Sequence, residues 1–127
     1  MNKLLWLAIA TIAALAGCAA PMHSAGLSEV IERPAERALL TGMRAYDDAQ
    51  YAQAERALTT ALSSGLSSPK DRASAHKLLA FIYCTSSRVR DCEAAFRAAR
   101  EADPAFTLSR SEAGHPQWGP VYRRVSP

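Results

Sequence analysis

The sequence predicts an all-α protein, two helical hairpins closed by a short C-terminal cap, and three observations carry that prediction. Ala and Leu crowd the chain while Val and Ile are sparse, a balance that favours helix over sheet. Six positions recur at one fixed separation. Gly42, Ala45, Tyr51, Ala54, Leu58 and Ala61 align with Ala80, Tyr83, Val89, Cys92, Phe96 and Ala99, each pair 38 residues apart. Small residues fall where two antiparallel helices bring their backbones together, and large ones fill the gaps beside them. Helix start and stop signals fall at the edges of these units. The 127 residues suffice for one small domain, and 49% apolar against 21% charged residues is the balance of a chain that folds.

Taken in order, the first element is not part of that domain. Met1-Asn2-Lys3 is a short basic start, and Leu4 to Ala16 is a run of 13 residues in which only Thr11 is polar. A membrane-spanning helix needs about 20 apolar residues, so the run has the length of a signal peptide's apolar region instead. It ends in Leu15-Ala16-Gly17-Cys18, which resembles the lipobox of bacterial lipoproteins. That resemblance implies cleavage before Cys18 and lipidation, palmitate included, of its thiol, the most nucleophilic side chain in the stretch. Two or more acyl chains anchor a protein stably where one does not. Ala19 stands where an inner-membrane retention signal would carry Asp, so the resemblance implies the outer membrane, facing the periplasm. The alternative is an ordinary secretory signal with an incidental Cys. Ala19 to Leu27, with Pro21 and Gly26 and no aromatic, reads as a flexible tether. Residues 1–17 are thus the signal peptide, 18–33 the lipidated Cys and tether, and 34–127 the helical domain with its cap.

Helices are predicted near 35–48, 52–63, 70–86 and 89–102. Pro34 suits a first helical turn. Ser68, Pro69 and Asp71 form an N-cap, a first-turn Pro and an acidic third residue, and Asp103-Pro104 stops the fourth helix. The unit His76 to Pro104 resembles a tetratricopeptide repeat: Ala80, Tyr83, Phe96, Ala99 and Asp103-Pro104 stand at that family's small, aromatic and terminating positions, with Cys92 for the usual Ala. The unit Ala38 to Leu66 is looser, with Ala45 where an aromatic is common and Leu66 in place of Pro. The separation of 38 exceeds the family's spacing of about 34, and the connection Ser63 to Pro69 supplies the excess. A generic four-helix bundle is the alternative.

Two repeats leave an end uncovered. The segment Phe106 to Tyr122 is the predicted lid, with Ser109 and Glu112 as a capping box for one turn that Gly114 ends. Phe106, Trp118, Val121 and Tyr122 supply its apolar contacts. With Cys18 lipidated, Cys84 and Cys92 remain, an even number in an oxidising compartment and a candidate disulfide; two buried free thiols are the alternative.

Candidate chemistry is sparse. His23, His76 and His115 are scattered, and no His stands at a ligand interval from either cysteine, so no metal site and no cofactor are predicted. Asp47 and Asp48 are neighbours whose side chains diverge on a helix. No phosphate-binding loop or nucleophile elbow occurs. From residue 18, 14 basic residues face 12 acidic ones, too mild a balance for a nucleic-acid partner. Arg88, Arg90, Arg97, Arg100, Arg123 and Arg124 lie among Asp91, Glu93, Glu101 and Asp103, the pattern of a mixed solvated surface. The reading is of a protein that is not an enzyme and takes no small-molecule substrate. Tetratricopeptide arrays bind peptides on the inner face of each first helix. Here that implies Leu39, Met43, Tyr46 and Asp47 in the first unit and Lys77 and Phe81 in the second, unless the tail buries them.

The lipobox, the Cys-x7-Cys hairpin, Asp103-Pro104-Ala105-Phe106 and the run Gly114-His115-Pro116-Gln117-Trp118-Gly119-Pro120-Val121-Tyr122 together resemble the small type VI secretion-associated (TssQ-like) lipoproteins. The resemblance spans about residues 15–124. It implies a non-catalytic accessory that docks an envelope protein or secretion-machine subunit. The alternatives are a pilotin-like lipoprotein serving a secretin or type IV pilus, a regulator of a cell-wall enzyme, and a structural lipoprotein without a partner.

Overall fold

A computed structural model describes residues 33–126. The predicted signal peptide, Cys18 and the tether up to residue 32 lie outside the described residues. Six helices and no strand are found among the described residues: α1 Pro34–Asp47, α2 Tyr51–Ser63, α3 Pro69–Thr85, α4 Val89–Ala102, α5 Arg110–Ala113 and α6 Gly119–Val125. The chain is all-α. The first three helices each begin one residue earlier than predicted, and in the first and third Pro34 and Pro69 are themselves first helical residues. Their missing N–H groups cost nothing there.

α1 and α2 form one hairpin, α3 and α4 the second, and α3 lies between α2 and α4. The two hairpins turn in the same way. Ala49 and Ser87, 38 residues apart, both adopt left-handed backbone, with φ of 56° and 62°. The next residue in each turn, Gln50 or Arg88, donates its N–H back to Ala45 or Tyr83, at 2.8 Å in both. Of the aligned set, Ala45, Ala54, Leu58, Ala61, Ala80, Cys92, Phe96 and Ala99 are buried. Tyr51 and Val89, assigned to the same packing pattern, are instead 45% and 44% exposed. As the first residue of its helix, each stands beside the turn, where the packed interface has ended.

The connection between hairpins is more than spacing. Gly65 takes a φ of 88°, which lets the chain reverse and drives Leu66 into the core. Arg72 then holds the loop by donating to the carbonyls of Leu66 and Ser67 at 2.8 and 2.9 Å. The Ser68 hydroxyl caps α3, accepting from the Asp71 N–H at 3.3 Å. Cys84 and Cys92 are joined in a disulfide across the second turn, with Cα atoms 5.2 Å apart, so the free-thiol alternative does not hold in this structure.

The tail folds back over the second hairpin. Ser109 and Glu112 make a reciprocal capping box on α5: the Ser109 hydroxyl accepts from the Glu112 N–H at 3.2 Å, and the Glu112 carboxylate accepts from the Ser109 N–H at 2.9 Å. Leu108 and Val121 enter the core, and the Tyr122 ring meets Phe96 edge-on at 5.3 Å.

Candidate functional site

The face predicted to bind a partner divides into a covered and an open half. On α3, Phe81 is only 4% exposed, because the Trp118 indole stacks on it with centroids 4.1 Å apart and planes 19° off parallel. His115 stacks on the far side of Trp118 at 3.4 Å, and the indole N–H donates to the Glu112 carbonyl at 2.8 Å. Lys77, one turn before Phe81, pairs with the Glu112 carboxylate at 2.7 Å. Phe106 and Tyr122, predicted in the cap, meet each other at right angles with centroids 6.4 Å apart. The groove inferred from the sequence therefore does not run across both hairpins. Phe81 is a core residue under the lid and Lys77 is its electrostatic anchor.

On α1, spacing puts Leu39, Met43, Tyr46 and Asp47 on one face. Leu39 points into the core, 6% exposed, and is not available to a partner. Met43 is 39% exposed, Asp47 is exposed and Tyr46 is half-buried. The Tyr46 ring meets Tyr51 edge-on at 5.5 Å and tilts toward Phe81 at 6.4 Å. The patch thus includes Tyr51, which spacing alone had assigned to packing. Burial, then the neighbouring Tyr51, Glu112 and Asp47, push the Tyr46 phenol above its usual pKa.

A second feature lies on another side. A shallow depression of about 330 Å³ is lined by Leu62, His76, Leu79, Tyr83, Ala95 and Ala98, among others. Burial lowers the pKa of His76, with Glu101 opposing the shift. Arg88 closes one end, lying 4.2 Å over the Tyr83 ring and reaching Glu55 at 2.8 Å and Asp91 at 2.9 Å.

The arginines considered as a basic patch are largely engaged. Arg97 and Arg124 share Glu93, Arg100 donates to the Val125 carbonyl at 3.2 Å, and Arg123 donates to that of Ala113 at 3.3 Å. Among the described residues no group of three or more His, Cys, Asp or Glu is placed to hold a metal ion. No helix there is long and apolar enough to cross a membrane. No protein family model, curated protein or solved structure matches this chain.

Proposed function

We propose that the protein is a lipid-anchored adaptor of the outer membrane, facing the periplasm, that docks another envelope protein without catalysing a reaction, as an accessory of type VI secretion. One observation carries the docking part of this reading. Next to a face that the chain's own tail covers, Met43, Tyr46 and Tyr51 form an apolar patch left partly open to solvent. Exposed apolar side chains gathered in one place, on rigid helices and beside a fixed lid, suit a partner rather than a substrate. The lipobox at Leu15 to Cys18 supports the anchor, and the closing run Gly114 to Tyr122 supports the secretion system.

Two measurements test it. Cys18→Ser leaves the precursor uncut and unlipidated; release of a normally acylated mature form ends the anchored reading. The wild-type protein extracted in mild detergent co-purifies with secretion-machine subunits. Secretin or pilus subunits in their place assign a pilotin role, cell-wall enzymes a regulatory one, and a reproducibly empty lane ends the adaptor reading.

A further inference from the structure

The second hairpin carries its own cover, and the first does not. At the separation of 38, Met43 corresponds to Phe81 and Leu39 to Lys77. Over Phe81 the tail places an aromatic ring, Trp118, and beside it a charge, Glu112, chosen to match Lys77. Met43, the equivalent of Phe81, remains 39% exposed. It stands near one end of an aromatic row in which Tyr51 touches Tyr46, Tyr46 approaches Phe81, and Phe81 lies under Trp118. The tail covers one end of that row and leaves the other open.

The charge beside the open end has the opposite sign. Asp47 and Asp48 are exposed at the C-terminal end of α1, where the helix's backbone carbonyls are already negative. The cations nearby are otherwise placed. Lys77 is held by Glu112, and Arg44, about 100° around α1 from Met43, is one cation against two carboxylates at this helix end. A cover built as the tail is built needs a cation here where the tail uses a carboxylate.

We propose that Met43, Tyr46 and Tyr51, edged by Asp47 and with Asp48 at the same helix end, dock a segment of a partner protein in which an apolar or aromatic side chain is flanked by Lys or Arg. The inference rests on the adaptor reading and adds the partner's chemistry. The internal pair Trp118 and Glu112 is its template, a ring over the apolar position and a countercharge beside it. Charges at the edge of such a contact act on encounter rate and salt dependence, so the interaction weakens as ionic strength rises.

The test uses the full-length, membrane-anchored chain with a photo-crosslinking residue at Met43, and a second version with it at Arg56 on the exposed side of α2. Sequencing of the peptide linked from Met43 yields a segment with apolar residues flanked by Lys or Arg. Charge reversal by D47K with D48K, both exposed, lowers that yield about tenfold and leaves the circular dichroism spectrum unchanged. Linkage to an acidic segment, to lipid or to a second copy overturns the inference, as does a yield indifferent to charge reversal. Those outcomes leave a protein-docking role open. A chain that links to no protein from Met43 or Arg56 ends the adaptor reading itself.

Discussion

At the scale of the residue, Gly42 shows how little room the hairpins leave. A methyl group added there meets the Leu58 Cγ at 2.7 Å and Cδ2 at 2.8 Å, with Leu58 wholly buried. In the second hairpin the aligned pair is Ala80 and Phe96, a methyl and a flat ring, both wholly buried. Helix propensity alone favours Ala over Gly by about 1 kcal/mol. Overpacking a filled core costs about 1–3 kcal/mol and wins here because Leu58 has nowhere to move. Gly42→Ala is therefore expected to lower the thermal midpoint although it makes α1 a better helix. A raised midpoint counts against this account of the contact.

At the scale of the element, the tail and the disulfide close the second hairpin in different ways. The tail acts in the folded state, through Trp118 on Phe81 and Tyr122 on Phe96. Trp118→Ala removes a half-buried ring and its stacking, a loss of about 2 kcal/mol of domain stability. Denaturant unfolding checks this, and an unchanged midpoint makes the tail a passenger. The disulfide acts mainly on the unfolded chain. A link between residues eight apart contributes about 2–3 kcal/mol in the chain-entropy model. Reductant should lower the wild-type midpoint by roughly 8–24 °C for a domain of this size and leave Cys84→Ala/Cys92→Ala unmoved. The helices, both hairpin turns and the capping box were legible because each rests on local rules: prolines, caps and a repeating small-large pattern. The open patch was legible only in part. That Leu39 points inward, Phe81 lies under Trp118 and Tyr51 faces solvent depends on where distant elements dock, and periodicity within one helix carries no record of that.

At the scale of the whole molecule, the groups that titrate away from their ordinary values bound the pH range in which the fold is firmest. His76 lines the depression between the two hairpins with its pKa lowered by burial, partly opposed by Glu101. The unfolded chain then takes up a proton near 6.5 that the folded chain refuses, so stability is lost as pH falls below that value. Glu112 adds a second loss at lower pH. Burial pushes its carboxyl up, but Lys77 and the capping bonds from Ser109 outweigh it, and the net shift is below 4.5. Its contribution is present above 4.5 and disappears as protonation breaks the anchor between tail and α3. At the alkaline end burial raises the phenols of Tyr46 and Tyr83, so the unfolded chain loses protons first above 10 and stability falls again. The thermal midpoint should therefore be level between about 7 and 10, decline in two steps toward acid, and decline once toward base. His76→Gln should erase the step near 6.5 and spare the lower one, while Lys77→Met should shrink the lower step and spare the upper. If both variants keep both acid steps, the ionisations that set stability lie elsewhere, and the Lys77–Glu112 pair is not what fastens the tail to the second hairpin.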